Sequence, residues 1–319
     1  MKAIESITAP GVYDIPAEEY HADPVGPAPS LSASIAKQLL DASPEHARWA
    51  HPKLSPAFTP EESERFDVGT AAHAYLLEGE RDAFEIIDAK DWRTKAAQEA
   101  RDLARLAGKT PLLSEQWVRV QAMAEAAKRQ LAAFEEIPRP LTHGRAEETL
   151  VWQEDGAWMR ARLDWLHADH RTIDDYKSTS GSAHPDAFIR GPLFALGYDV
   201  QAAMYLRGIA VLFGHEAAFR FVVQETDPPY ALSVVALGPE ALVLAEKKRR
   251  RAVELWRACL ATGQWPAYPT RTCYAELPAW QESRWLEREL RDEMPRARQT
   301  AIDDGRPIDE QLAGYGGIL

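Results

Sequence analysis

An aspartate in RLDWL (Asp164), followed by an aspartate and a lysine two residues apart in IDDYK (Asp175 and Lys177), are the side chains whose types and spacing could do chemistry. Side chains on a strand alternate between faces, so Asp175 and Lys177 share one face while Asp174 and Tyr176 take the other. Two aspartates on neighbouring strands can hold a hard divalent cation through oxygen. A lysine beside them can ease formation of hydroxide or stabilise a pentacovalent phosphate. Hydrolysis of a phosphodiester needs an activated water, a Lewis acid on a non-bridging oxygen and charge relief for the leaving alkoxide. The bland alternative is an exposed ion pair on a strand, worth little to stability, and the two-residue spacing fits it equally well.

The elements that must position these residues are legible as patterns. EETLVWQ (147–153) and AWMRARLDWLHA (157–168) flank an Asp155-Gly156 turn and predict a β-hairpin, with a third strand over 171–179. On the second strand Arg160, Arg162 and Asp164 share a face opposite Ala161, Leu163 and Trp165. The apolar set marks the core side, which leaves guanidinium groups free to meet phosphates. A helix from about Tyr198, strands at 218–225 and 230–237, and a helix over 239–262 follow. Upstream, Ser32 or Ser34 can cap one helix, and Ser43 with Pro44 starts another. The stretch 51–63 reads as a loop, and a helix over 66–77 puts Gly69, Ala72, His73 and Leu76 on one face. Residues 92–137 suit two amphipathic helices broken at Thr110-Pro111. The order predicts an α/β fold with an N-terminal helical elaboration. Its expected divisions are an extended arm (1–30), one domain (31–290, helical over 31–140 with an α/β core over 141–262) and a flexible tail (291–319).

Composition bounds the function classes. A hydrophobic share of 45% with 27% charged residues is ordinary for a globular chain. No apolar run approaches the roughly 20 residues that span a bilayer, so a cytoplasmic protein without a membrane partner is expected. Cys259 and Cys273 are the only cysteines, too few for a clustered iron–sulfur or zinc site, and read as buried or half-buried free thiols. The net charge of -12 is an objection to a nucleic-acid partner. Local clusters, Lys247 to Arg251 or the pair Arg160 and Arg162, could still line a groove on an acidic molecule.

Four blocks resemble the RecE-like (exonuclease VIII) branch of the PD-(D/E)xK nucleases, in that family's order. They are LSASIAKQLLDASPEHARW (31–49), FDVGTAAHAYLLEG (66–79), the strand set of 147–179, and GYDVQAAMYLRG (197–208) with FRFVVQETDPPY (219–230). The resemblance implies a restriction-endonuclease-like fold, a central mixed sheet flanked by helices. It matches His73 to a histidine metal ligand, Asp164 to the first metal-binding aspartate, and Asp175 and Lys177 to the acidic residue and lysine of the signature. The backbone carbonyl of Tyr176 would be a further ligand, and Gln201 and Tyr205 match a Gln-x-x-x-Tyr motif beside the active site. For the family's earlier glutamate there are two adjacent candidates, Glu147 and Glu148, of which counting back from Trp152 favours Glu147. The implied activity is a Mg²⁺-dependent exonuclease, Mn²⁺ substituting, that acts on double-stranded DNA ends from 5′ to 3′. Family members form ring-like homo-oligomers and work with a RecT-like annealing protein in phage recombination. The rivals are another nuclease of this fold, Cas4-like or endonucleolytic, and a non-catalytic DNA-end-binding protein. The four-cysteine kind lacks its cysteines here, and a degenerate fold would have lost Asp164, Asp175 and Lys177.

Overall fold

In the computed structural model, residues 6–55, 57–58, 68–79 and 81–303 are described. The chain divides into two compact units, 1–267 and 268–319.

The first unit is built on a mixed sheet. Its elements in chain order are β1 (Gly11–Tyr13), α1 (Ala17–His21), β2 (Ser30–Leu31), α2 (Ala33–Asp41), α3 (Pro44–Ala50) and α4 (Val68–Leu77). Then come β3 (Phe84–Ile87), α5 (Lys95–Leu106), β4 (Thr110–Leu113), α6 (Ser114–Leu131), β5 (Gly144–Glu154), β6 (Ala157–His167) and β7 (Thr172–Thr179). The unit closes with α7 (Pro185–Arg190), α8 (Pro192–Ala195), α9 (Tyr198–Phe213), β8 (Ala218–Glu225), β9 (Leu232–Ala236) and α10 (Pro239–Thr262). The second unit carries α11 (Ala279–Asp303) and the exposed Cys273, whereas Cys259 on α10 is buried.

The sheet order is β1-β5-β6-β7-β8-β9. Asp155 and Gly156 both have positive φ, as the tight turn between β5 and β6 requires. Strand β7 pairs with β6 only at Trp165 and Leu166, so further back β2 lies parallel against Trp158 and Met159. Strands β7 and β8 run parallel, and the crossover that a parallel pair demands is made by α7, α8 and α9. The largest apolar cluster joins Leu150, Trp152, Met159, Ala161 and Leu163 of the hairpin to Ala202 and Ile209 of α9 and Trp256 of α10. Gly208 lets α9 approach: a Cβ there would sit 3.0 Å from the Trp152 ring. Two helix caps follow the sequence, Ser32 accepting from Ile35 N–H and Ser43 from His46 N–H.

Several expectations are corrected. The arm is extended only in part: α1 interrupts it, β1 pairs antiparallel with β5, and Asp23 accepts hydrogen bonds from the Ser30 N–H (2.9 Å) and hydroxyl (2.6 Å). Residues 92–137 hold a strand between their helices, because Thr110-Pro111 opens β4, which pairs with β3. The tail expected from 291 continues helix α11 to Asp303, and 304–319, with Gly314, Gly316 and Gly317, lie outside the described residues. So do 59–63 of the expected loop and Phe66 and Asp67 of the expected helix. Cys273 is exposed rather than half-buried.

Candidate active site

The site forms where β5, β6 and β7 meet α4 and α9. His73, on α4, stands between two carboxylates: its Nε2 lies 3.1 Å from Asp164 Oδ2 on β6 and its Nδ1 3.8 Å from Glu147 Oε1 on β5. One ligand atom from each of these three side chains falls within 4.8 Å of the others. Glu147 gets there through an unusual backbone. Its φ is +58°, and the β5–β6 ladder skips it between Ala146↔Trp165 and Glu148↔Leu163, opposite Asp164. Such a conformation is costly for a residue with a Cβ and is typical of sites where geometry is imposed from outside. Glu148 instead pairs with Arg145 (3.4 Å), so of the two adjacent glutamates it is Glu147 that stands beside His73.

Asp175 and Lys177 follow the alternation of β7. Lys177 Nζ lies 2.5 Å from Asp175 Oδ2, while on the other face Asp174 binds His167 and Arg220, and the Tyr176 hydroxyl donates to Gln224. Gln201 Nε2 donates to Asp175 Oδ1 at 2.7 Å and lies 3.2 Å from the Tyr205 hydroxyl, so these two residues of α9 hold one oxygen of Asp175 in place. The other oxygen is fully buried and has the Lys177 ammonium as its neighbour, with no further donor among the described residues. The Tyr176 N–H donates to Asp164 Oδ2 at 2.8 Å. The ligand set expected from sequence was His73, Asp164, Asp175 and the Tyr176 carbonyl. The cluster in the structure is His73, Glu147 and Asp164, with Asp175 alongside rather than among the three.

Electrostatics express the crowding of carboxylates. Burial, and next the charge of Asp164, push Asp175 up to about 7 against the pull of Lys177. Burial and Asp164 likewise raise Glu147. Asp164 itself is held below the ordinary range: burial opposes this, but His73, Lys177 and the Tyr176 N–H outweigh it. For His73 burial works against the charged form, yet Asp164, Glu147 and Asp175 raise it. Protonated groups thus stand in for missing positive charge. Carboxylates that resist ionising and a histidine between two of them fit a hard divalent cation.

The expected phosphate contacts on β6 are not available. Arg160 is buried, bonding Ser30 O (2.8 Å) and ion-pairing with Asp23 (3.2 Å), while Arg162 binds Glu147 (2.6 Å) and Ile15 O (2.6 Å). The run Lys247 to Arg251, which could have lined a groove, is neutralised at four of its five cations. Lys248 pairs with Asp199, Arg249 with Glu154 and Glu246, Arg250 with Glu246, and Arg251 with Glu254. Sequence patterns show which residues are basic but not which are already spent on carboxylates. Tyr198, whose ring lies 4.9 Å from Lys177 Nζ, also escaped the sequence reading, because an aromatic at a helix start carries no spacing signal.

Comparison with known proteins agrees with this architecture. The family described as "PDDEXK-like domain of unknown function (DUF3799)" matches residues 32–277. A candidate exonuclease of Eubacterium rectale superposes with a TM-score of 0.53, covering 83% of this chain and 97% of its own, at 14% identity, a likeness of fold. The protein SSO0001, at a TM-score of 0.25 and 10% identity, covers 64% of this chain and 96% of its own, and carries no argument. No curated protein matches the sequence.

Proposed function

Since the chain belongs to the PDDEXK-like family DUF3799, we propose that it is a metal-dependent DNA exonuclease acting on double-stranded ends. The observation that carries this reading is the convergence of His73, Glu147 and Asp164 beside a buried Asp175–Lys177 pair. His73, Glu147 and Asp164 would hold a divalent ion, Mg²⁺ or Mn²⁺, with Asp175 completing the anionic side. When bound, the ion supplies Lewis acidity to a phosphoryl oxygen and to the attacking water.

The chain's own residues do the rest. Asp175, fixed by Gln201, orients Lys177, and the Lys177 ammonium lies where it can meet charge that develops on the phosphate. Tyr205 accepts a second hydrogen bond from the Gln201 amide, which favours the orientation that reaches Asp175. The resemblance to RecE-like enzymes extends the proposal to 5′ to 3′ digestion, ring-like homo-oligomers and a RecT-like annealing partner in phage recombination. The test is digestion of linear and closed circular duplex, labelled at either end, with and without EDTA. Loss of label from linear DNA only, abolished by EDTA, is expected. Efficient cutting of circles would overturn the exonuclease reading, and full activity in EDTA the metal requirement. Lys177→Ala should bind Mn²⁺ like the parent and cleave orders of magnitude more slowly.

A further inference from the structure

We propose that Lys37 is a second phosphate-binding residue of this site, the cation that receives the substrate's backbone while Lys177, held by Asp175, meets the reacting phosphate; this rests on the nuclease reading above. Lys37 lies on α2, far in sequence from the strand signature, yet its Nζ sits 5.6 Å from the Tyr198 ring centroid, and Lys177 Nζ lies 4.9 Å from the same ring. Both ammonium groups therefore lie near one aromatic ring. The stem of Lys37 runs over Gly197, where an added Cβ would come within 3.0 Å of Lys37 Cγ and Cε. Gly197 has φ +64° at the start of α9, so both its conformation and the approach of Lys37 favour glycine.

Charge sets Lys37 apart from the arginines of β6 and from most of the basic residues on α10. Arg160, Arg162, Lys248, Arg249, Arg250 and Arg251 are all paired with carboxylates. Lys37, half-buried, has no ion-pair or hydrogen-bond partner among the described residues and lies against Gly197 and the ring of Tyr198. Burial, and next the charge of Lys177, lower its ammonium, against Asp41 and Asp199. Two like charges held near each other are unfavourable until an anion approaches. The substrate supplies that anion. Glu147, Asp164 and Asp175 would repel a phosphodiester, and the Lys177 charge is balanced by Asp175, so a second cation beside the ring that Lys177 approaches would supply the positive charge a phosphate needs.

The experiment measures binding separately from cleavage. Anisotropy of a fluorescent, 5′-phosphorylated blunt duplex is followed in Ca²⁺ over a series of salt concentrations, the duplex being checked as uncut, for the parent, Lys37→Met and Lys37→Arg. The methionine keeps the stem on Gly197 and removes the charge; the arginine keeps the charge. Lys37→Met should weaken binding on the order of tenfold and reduce the slope of log affinity against log salt by about one. Lys37→Arg should retain both, and Mn²⁺ affinity by calorimetry should be the same for all three. Parent-like affinity and slope in Lys37→Met would overturn the proposal, as would equal losses in both variants, which would reduce Lys37 to packing. If the parent cleaves linear DNA but Lys37→Met is indistinguishable from it, only Lys37 loses its role; if the parent neither binds nor cleaves DNA, the nuclease reading itself falls.

Discussion

At the residue scale, Asp175 is a carboxylate with no exposure, placed beside Asp164 and steadied by Lys177 and Gln201. Its carboxyl titrates near 7 in the fold, against about 3.9 in an unfolded chain. The folded protein therefore keeps a proton that the unfolded chain has released. Stability linked to Asp175 is full below about pH 3.9 and is lost as pH rises towards 7. His73 acts in the same direction, because its value is raised: its contribution is full below the ordinary histidine value of about 6.5 and is lost as pH climbs through the raised one. Metal-free protein should accordingly melt at lower temperature as pH rises from about 6 to 8. A bound divalent ion replaces those protons, so Mn²⁺ should flatten the trend and release protons on binding. Melting curves in EDTA and in Mn²⁺ across that range check this. A melting temperature in EDTA that is flat or rises with pH would show that the carboxylates do not need an external cation.

At the element scale, the alternation of β5, β6 and β7 was legible because period-two patterns over long strands leave little choice of face. The predicted spans lie within a few residues of those observed, 147–153 against Gly144–Glu154 for β5. The short strands were not legible. Ser30–Leu31 and Gly11–Tyr13 are too brief to show a period and exist only because β6 and β5 offer them partners. Strand β4 hid behind Pro111, which reads as a break until β3 lies alongside. The turn of Glu147 into positive φ has no sequence signal either, since glutamate does not favour it. The start of β5 does depend on one residue type. A Cβ on Gly144 would lie 2.3 Å from the Leu166 carbonyl oxygen and 2.9 Å from His167 Cα, both backbone atoms that cannot rotate aside. Gly144→Ala should force β5 away from β6 just before Glu147 and cost about 2–3 kcal/mol. Urea unfolding would measure it, and a change within about 0.5 kcal/mol, the ordinary surface range, would mean that the strands separate there at little cost.

At the scale of the whole molecule, the net charge of -12 looked like an obstacle to a DNA partner, and local basic clusters looked like its remedy. The structure spends most of those residues on internal ion pairs. Arg160, for instance, joins Asp23, His51 and Ser30 into a buried knot that ties the N-terminal segment across β6, with Lys53 donating to the Val25 carbonyl. Burial opposes ionisation of Asp23, but hydrogen bonding with His51, the charge of Arg160 and two bonds from Ser30 bring it down to about 2. An acid with a depressed value stabilises the fold above its unfolded pKa, and that stabilisation is lost as pH falls from about 4 towards 2. The shift is worth ~2 kcal/mol, present in full at neutral pH. Removing the carboxylate outright should cost more, because it leaves Arg160 buried without a counter-charge. Asp23→Ala should therefore lose about 3–5 kcal/mol at neutral pH and much less below pH ~2, where the parent's own carboxyl is protonated. Denaturant unfolding of both proteins at neutral and acid pH checks this. An equal difference at the two pH values would mean that the knot holds by shape and hydrogen bonding alone, and that its charges contribute nothing to keeping the N-terminal segment on the sheet.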